Sequence, residues 1–525
     1  MLAALRHFCK TTDEMRGNSL RSLLCLIAAS ALVCAGVQAQ QNMQQSAAQE
    51  TATVIHVDAS AKGHAFPHFW EQMFGSGRAV LSLREDYRDD LRAVKAITGF
   101  GYIRFHGIFD HGVGLYSEDK NGNPVYNFSY VDQIYDGLLA NGVRPYVELS
   151  FMPPKLAARE VHQAFWYHPV VAPPKSWALW DDLITKFAQH LLARYGIDEV
   201  SKWYFEVWNE PNLDFWAGDP KQATYYELYD HTARDLKRVS ARIRVGGPST
   251  AQAAWVTSFI QHDVKDNVPV DFISTHVYGD DTAQNVLKIN ENVARRDMVC
   301  RAVKKVHDEV EASPRPQLPI IFSEYNASYM NLPDVTDTIF MGPWMANTIR
   351  ECDGLVSMMS YWTFSDVFEE QGVIKKPFYG GFGLVAEGGV PKPAFNAYKL
   401  LHMLGTQRIP AESDSVLATR SAKKTLEIAV WNYSAPEAAG IVKEFTLQID
   451  GWHGGRKVVI YRLDAKHGNV LAAYDAMGQP ASPTQQQYTQ LKDAAKLGPP
   501  EKEKLKKNQI TITLPPKALD LIEVH

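Results

Sequence analysis

The sequence predicts an α/β protein, a (β/α)8 TIM barrel followed by an accessory C-terminal β-sandwich domain. The chain has 525 residues, more than one hydrophobic core usually supports, which indicates two domains. Short apolar runs alternate with helix-like segments between about residue 65 and residue 400, as in parallel α/β folds. Beyond about residue 405, alternating strands replace the helical patterns, which is typical of a small β-sandwich.

Eight apolar runs in the first region are candidate barrel strands. Each ends in polar or aromatic residues, and their number is the one that a closed (β/α)8 barrel requires. Segments with helical periodicity lie between these runs, for example at 180–195 and 225–243. The candidate strands are 72–75, 102–107, 144–150, 204–208, 245–248, 272–277, 320–324 and 356–364.

The pattern also places the domain boundaries. Candidate sandwich strands lie at 426–430, 445–449, 458–463 and 510–514. The segment 53–58 alternates in the same way, so we expect an N-terminal strand within 52–64 to join the sandwich. The lysine-rich stretch 492–507 also contains glutamates and is interpreted as a solvated helix or loop. The sequence thus predicts a catalytic barrel at 65–404 and a sandwich at 405–525.

The N-terminus has the pattern of a secretory signal peptide. Basic residues precede an apolar run at 23–37, and small residues around Ala39 offer a cleavage site. The run is shorter than the roughly 20 apolar residues that a membrane span requires. We therefore expect a signal peptide at 1–39, a polar linker at 40–51, and export to the periplasm or the medium, with no membrane association after cleavage. Met1 and Met15 are both possible starts.

Charge and cysteine content restrict the partners. A net charge of −5 would repel a polyanion, so no nucleic-acid partner is expected, and the sequence sets no oligomeric state.

Cleavage after Ala39 leaves Cys300 and Cys352, which allow buried thiols or one bridge but no disulfide scaffold. Because His, Asp and Glu do not cluster at ligand spacing along the chain, neither a metal nor another cofactor is predicted.

Two glutamates follow apolar runs, at the strand ends where barrel active sites are built. Glu210 ends the fourth candidate strand, with Asn209 beside it to bond a sugar 2-hydroxyl, and Glu324 ends the seventh. Flanking Trp208 and Pro211 would desolvate Glu210, raise its pKa and keep it protonated. One protonated carboxyl and one free to attack are what retaining glycoside hydrolysis requires. We predict Glu210 as general acid/base and Glu324 as nucleophile.

The residues around both glutamates resemble glycoside hydrolase family 39, the family of β-xylosidases and α-L-iduronidases. The matching stretches are 205–215 (FEVWNEPNLDF), 323–329 (SEYNASY), 361–370 (YWTFSDVFEE) and 380–384 (GGFGL). The similarity extends from about Phe66 to Tyr398, implies a retaining (β/α)8 glycosidase and favours the β-xylosidase branch. The chain departs from the family at Tyr379, where a histidine is expected.

The resemblance also implies substrate-binding residues near the catalytic pair. His276 and Tyr278, at the end of the sixth candidate strand, would lie beside the nucleophile. His276, if uncharged, would donate to Glu324 or to a sugar hydroxyl, with a satisfied barrel histidine as the alternative. His106 is expected to bind sugar hydroxyls, and Arg104 to orient the catalytic carboxylates.

Further residues are implied as walls of the sugar pocket. Phe165 and Trp166 would form one side. Tyr361, Trp362 and Glu370, the second of two adjacent acids, would close the other.

These observations predict an exported, exo-acting β-D-xylosidase that releases xylose from xylo-oligosaccharides by double displacement and serves xylan degradation. The nearest alternative is the same fold acting on another glycoside, as an endo-glycosidase of an exopolysaccharide, an arabinosidase, a glucosidase or an iduronidase. An iduronidase would need basic residues to pair the substrate carboxylate. The non-enzymatic alternative is a carbohydrate-binding protein on an inactive barrel, and the presence of both glutamates argues against it.

Overall fold

Eight parallel strands close a barrel, which confirms the predicted fold class. The structure, a computed structural model, describes residues 53–422 and 425–525, so the predicted signal peptide at 1–39 and linker at 40–51 lie outside the described residues. Strands that follow one another in the chain pair in parallel around the ring. They are β1 (Met73–Arg78), β2 (Tyr102–His106), β3 (Arg144–Leu149), β4 (Tyr204–Val207), β5 (Arg244–Thr250), β6 (Phe272–Tyr278), β7 (Ile320–Asn326) and β8 (Met358–Tyr361).

A helix of 9 to 19 residues follows every barrel strand. In the third helix, Trp180, Leu183, Phe187 and Leu191 recur at helical spacing and are buried, so one apolar face packs on the barrel. None of the helices in the described residues is long and apolar enough to cross a bilayer. The eight helices are α1 (Glu85–Lys95), α2 (Ser129–Ala140), α3 (Trp177–Tyr195), α4 (Lys221–Val239), α5 (Val256–Asp266), α6 (Arg295–Glu311), α7 (Met341–Cys352) and α8 (Pro393–Leu401).

The two ends of the barrel differ in chemistry. Apolar side chains fill the end where the strands begin: Met73, Tyr146, Phe272, Ile321 and Met358. Polar side chains occupy the other end, where long connections follow β3 (150–176) and β8 (362–392). A packed plug therefore fills the barrel interior at the first end, and the space that the interior leaves open lies at the carboxyl ends of the strands.

Shorter elements lie within the connections. They lengthen several of the loops that surround the carboxyl ends of the strands. They are the 3-10 turns Ala79–Leu83 and Ala251–Ala253, the helices Ile197–Val200, Ala283–Val286 and Pro333–Thr336, and the strand pairs Tyr116–Glu118 with Pro124–Tyr126 and Val385–Ala386 with Val390–Pro391.

Two sheets form the C-terminal module. One has three strands, Thr53–Asp58, Lys443–Asp450 and Gln509–Leu514. The other has seven, in the order His64–Ala65, Gln407–Ile409, Val416–Arg420, Leu426–Trp431, Leu519–Val524, Lys457–Leu463 and Glu501–Lys504. Their facing side chains, such as Ile428 and Leu447, form a shared apolar core, so the module is a β-sandwich.

The large sheet also packs on the barrel. Ala429, Trp431 and Leu521 point away from the sandwich core and join the barrel's own core, beside α7 and α8. Because successive residues of a strand face opposite sides, the same strand serves both cores. The sandwich thus supports the two helices that follow β7 and β8.

The module contains two helices for which the sequence pattern gave no indication, Leu471–Ala476 and Gln485–Ala494. The second begins at Thr484, which forms a capping box with Gln487. The lysine-rich stretch is the end of this helix, a turn and the strand Glu501–Lys504, whose four residues are all exposed. It is therefore solvated, as expected, and it contains a strand in addition to the predicted helix or loop.

Cys300 of α6 and Cys352 of α7 form a disulfide. Of the two alternatives left by the sequence, the bridge is the one that the structure contains. It closes a loop with a sequence separation of 52 residues, for which the chain-entropy model gives a stabilisation of roughly 4 kcal/mol. The bridge ties together the helices on either side of β7, the strand that bears Glu324.

Candidate active site

A cavity of about 380 Å³ opens at the carboxyl ends of the strands. Seven of the eight strands or the loops after them contribute to its lining, which is the arrangement typical of barrel enzymes. Eight of the residues singled out in the sequence line it: His106, Phe165, Asn209, Glu210, Tyr278, Glu324, Trp362 and Glu370.

The structure brings the two predicted glutamates together. A carboxylate oxygen of Glu210 and one of Glu324 lie within 4.8 Å of each other. Their side chains are 12% and 5% exposed, and both face the cavity. A separation of about 5–5.5 Å is what a retaining glycosidase needs, whereas inverting enzymes hold the carboxyls about 6.5–9.5 Å apart. The pair thus has the geometry for attack and proton transfer on one glycosidic bond.

Glu210 has the environment of a general acid. Its backbone and that of Trp208 adopt positive φ values of 44° and 72°, a strain of about 1–3 kcal/mol each that is common at functional sites. This turn brings the carboxyl back over the barrel mouth, where the Glu210 N–H donates to the carbonyl of Ser249 at 2.8 Å. Burial raises the pKa of Glu210 to about 7, although His106 and Arg104 oppose the shift. A large fraction is therefore protonated near neutral pH.

Glu324 is held as an acceptor by two hydrogen bonds. Arg104 Nη1 donates to Oε1 at 2.6 Å, and the Tyr278 hydroxyl donates to Oε2 at 2.6 Å. One bond to each oxygen fixes the plane of the carboxylate. An oriented carboxylate is what attack on an anomeric carbon requires.

Arg104 is the centre of a buried ion-pair network. Besides Glu324, it contacts Glu206 (Nε to Oε2, 2.6 Å), Glu148 (Nη2 to Oε2, 2.7 Å) and the amide oxygen of Asn209 (2.9 Å). Glu206 also accepts from the Tyr146 and Ser323 hydroxyls, so all of its contacts are with other buried side chains. Arg104 therefore contacts Glu324 directly and reaches Glu210 only indirectly, through Asn209 and His276.

His276 contacts the acid. It is fully buried and is not among the residues that line the cavity, and its role in substrate binding stays a prediction. Burial lowers its pKa to about 4, and the ring is neutral. Its Nε2 faces Arg104 Nη2 at 3.4 Å, which places the proton on Nδ1, and Nδ1 donates to Glu210 Oε1 at 2.9 Å. His276 therefore fixes the position of the Glu210 carboxyl.

His106 and Glu370 form the polar side of the pocket. Burial alone would lower the pKa of His106, but the Glu148 carboxylate at 2.8 Å outweighs it and raises the pKa to about 10. Burial also raises the pKa of Glu370 to about 7. Glu370 Oε1 lies 3.4 Å from His106 Nε2 and makes no hydrogen bond within the described residues. Such a buried polar atom is free for a sugar hydroxyl.

The aromatic residues divide into two groups. Phe165 and Trp362 line the cavity, as expected. Trp166 is 49% exposed and is not among the residues that line the cavity. Its backbone N–H donates to the carbonyl of Glu370, so Trp166 holds the loop after β3 against the loop after β8. Tyr361 is buried behind the barrel wall against Tyr325 and Tyr398, because residues alternate along β8. Its predicted place in the pocket is therefore wrong.

Sequence reasoning missed several residues of this site. Glu148 is the partner of both Arg104 and His106. It is an acid within an otherwise apolar strand, and this unusual position could have marked it as a site residue. Gln252 and Asp281 follow strand ends but carry no motif, so only the fold brings them to the cavity. Phe382 lines it from the GGFGL stretch, whereas Tyr379 does not line it.

A (β/α)8 barrel with two buried carboxyls at this separation defines a retaining glycosidase. The chain belongs to the glycosyl hydrolases family 39, whose profile matches residues 53–509. The resemblance seen in the sequence is thus confirmed.

Relatives of known activity cover most of the chain. It is 36% identical over 452 residues to a β-xylosidase of Geobacillus stearothermophilus, a match that covers 84% of this chain and 89% of that protein. A β-xylosidase of Caldicellulosiruptor saccharolyticus is 35% identical over 462 residues, covering 85% and 92%. The solved structure of a GH39 β-xylosidase from Caulobacter crescentus superimposes with a TM-score of 0.79 at 34% identity, covering 90% of this chain and 100% of that one.

Proposed function

We propose that this glycosidase is an exo-acting β-D-xylosidase that releases xylose from xylo-oligosaccharides. The observation that carries the proposal is the carboxyl pair of Glu210 and Glu324 within 4.8 Å in one small cavity. Relatives named β-xylosidase, about 35% identical over most of the chain, support the choice of sugar.

The site can carry out a double displacement. Glu324, held by Arg104 and Tyr278, attacks the anomeric carbon while Glu210 gives its proton to the departing oxygen. Formation of the glycosyl ester removes the negative charge of Glu324, which lowers the pKa of Glu210. Glu210 then acts as base on a water molecule that releases the sugar with its configuration retained.

The cavity lining favours a small neutral sugar. Among the described residues that line it, no lysine or arginine is present, whereas Glu370 and Asp281 are. The cationic side chain among these residues, His106, is already paired with Glu148, so a uronic acid would find no free cationic partner and the iduronidase alternative is not favoured. The volume of about 380 Å³ lies near the lower end for ligand sites, which suits a chain end better than a long polysaccharide.

A panel of nitrophenyl glycosides tests the choice of sugar. We expect the β-D-xylopyranoside to give the highest kcat/KM and the α-L-iduronide to give no turnover. Hydrolysis of xylotriose should release xylose and xylobiose from the start, and NMR should show the β-anomer as the first product. Faster cleavage of another glycoside would replace xylose in the proposal, and absence of turnover on the whole panel would leave the carbohydrate-binding alternative.

We also propose that the protein is exported after removal of residues 1–39. The disulfide between Cys300 and Cys352 supports this, because such bridges persist in oxidising compartments. We expect the mature protein to begin at Gln40 in N-terminal sequencing and to react with no thiol reagent until it is reduced. Two free thiols in the mature protein, or an intact leader, would contradict export. A version that starts at Gln40 is the matched control and should remain inside the cell.

A further inference from the structure

The acid next to Glu370 has no task in the reaction described above. Glu369 is not among the residues that line the catalytic cavity, although its neighbour Glu370 is. Its φ is 70°, a left-handed conformation that costs free energy in a residue with a side chain of this kind. The two adjacent carboxylates therefore have different surroundings, and other contacts have to hold the strained turn between them.

Two arginines bind the Glu369 carboxylate. Arg78 Nη2 donates to Oε2 at 3.1 Å, and Arg84 Nη1 donates to Oε1 at 2.8 Å. The Arg84 side chain is 46% exposed and also pairs with Asp86, whereas the Arg78 side chain is only 17% exposed. Because solvent and salt weaken exposed ion pairs most, Arg78 is the partner that fixes Glu369.

The guanidinium of Arg78 also packs on the loop after β3. Its Cζ lies 4.9 Å from the centre of the Tyr167 ring and 5.9 Å from that of Trp166, and a cation over an aromatic face is attracted to it. The Trp166 N–H in turn donates to the Glu370 carbonyl at 2.8 Å. Arg78, the last residue of β1, thus ties the end of its own strand to the loops after β3 and β8.

Glu370 depends on this arrangement because its own carboxyl group has little else to hold it. Its Oε1 lies 3.4 Å from His106 Nε2 and forms no hydrogen bond within the described residues. The backbone therefore sets where this carboxyl lies: Trp166 holds the Glu370 carbonyl, and Arg78 holds the preceding residue. A small displacement of this backbone would weaken a hydrogen bond from the carboxyl to a sugar hydroxyl, because such bonds depend steeply on geometry.

We propose that Arg78 is a positioning residue, which holds Glu369 and the rings of Trp166 and Tyr167 and so fixes Glu370 for binding a hydroxyl of the released sugar. Arg78 is not among the residues that line the cavity, so it acts through Glu370. The inference rests on the proposed function, because it takes xylose as the sugar and Glu370 as one of the groups that bind it.

The test uses 4-nitrophenyl β-D-xylopyranoside and its three monodeoxy analogues, which lack the 2-, 3- or 4-hydroxyl. Glu370→Ala identifies the hydroxyl that Glu370 binds, because kcat/KM should stay unchanged only for the analogue without that hydroxyl. Arg78→Met keeps an apolar stem and loses the guanidinium. It should lower kcat/KM about tenfold for the parent xyloside and the other two analogues, the scale of one weakened hydrogen bond to substrate. For the analogue that Glu370→Ala identifies, kcat/KM should stay within about twofold of wild type, because no hydroxyl is left to lose its partner.

Combining the two substitutions tests whether Arg78 acts through Glu370. In Glu370→Ala no carboxyl is left to position, so adding Arg78→Met should lower kcat/KM by no more than about twofold further. Glu369→Gln breaks the same ion pair from its other side, should give the pattern of Arg78→Met, and carries the test if the arginine variant does not fold. Arg92→Ala is the matched control. This exposed arginine of α1 pairs with two exposed carboxylates, and its loss should leave all four substrates unaffected.

Three results would overturn the positioning role while the xylosidase stands. They are kcat/KM within about twofold of wild type in both Arg78→Met and Glu369→Gln, equal losses on all four substrates, and full multiplication of the two losses in the double variant. A Glu370→Ala variant that treats the four substrates alike would overturn it as well, since Glu370 would then bind none of these hydroxyls. A wild-type enzyme that cleaves no xyloside would overturn the proposed function and the positioning role with it.

Discussion

Replacing Glu324 by alanine is expected to lower turnover of every substrate by on the order of 10⁵–10⁶-fold, the scale seen when the nucleophile of a hydrolase is removed. The reason is that no glycosyl ester can form without this carboxylate, whatever the leaving group. Arg104 and Tyr278 would remain in place to hold a small anion in the vacated space. Kinetics on xylobiose and on an activated aryl xyloside, with and without azide, measure the effect.

The product made with azide is the decisive control. Azide that enters in place of Glu324 attacks from the nucleophile's side, so the expected product is the α-xylosyl azide, of inverted configuration. In the wild-type enzyme, a 2-fluoroxylosyl label should map to Glu324. Glu370→Ala removes another carboxyl of the same cavity and should leave the site of labelling unchanged. A label on any other residue would contradict the assignment of the nucleophile.

Replacing Glu210 by alanine is expected to have an effect that depends on the leaving group. Cleavage of xylobiose should fall by about 10²–10⁴-fold, because its sugar leaving group needs a proton. A dinitrophenyl xyloside leaves without one, so its kcat/KM should change far less, while its kcat falls because no base activates water. Azide should then restore turnover and give the β-xylosyl azide. Equal losses in kcat/KM for both substrates would refute the assignment of the acid.

The pH profile gives an independent check on Glu210. Burial raises its pKa to about 7, so kcat/KM for xylobiose should decline as the pH rises through that value and the acid loses its proton. In Glu210→Ala this decline should be absent from the residual cleavage of xylobiose. The pKa of Glu370 is also raised to about 7, so Glu370→Gln is the matched variant and should keep the decline of kcat/KM with rising pH. If Glu370→Gln lost this decline, the group that titrates would be Glu370 and not Glu210.

The local pattern was sufficient to place the eight strands and to select two carboxyls that the structure brings together. Several barrel strands are apolar runs with a sharp end, and Glu210 and Glu324 stand out because a carboxylate directly after such a run has few structural reasons to be there. The same reasoning failed for Tyr361, where the motif neighbour Trp362 faces the cavity and Tyr361 does not. A one-residue step along a strand reverses the face, and the sequence does not state which face is inside.

The sequence alone determined the class of fold and the family, and it was enough to predict the two catalytic carboxyls, because these depend on residues that are near neighbours in the chain. Only the tertiary structure decided that His276 holds Glu210, that Arg104 joins Glu148, Glu206 and Glu324, and that Gln252 and Asp281 lie beside the acid. These contacts join residues of different strands, some of them more than a hundred positions apart. Such pairs leave no periodicity or spacing along the chain, and they form only when the barrel closes.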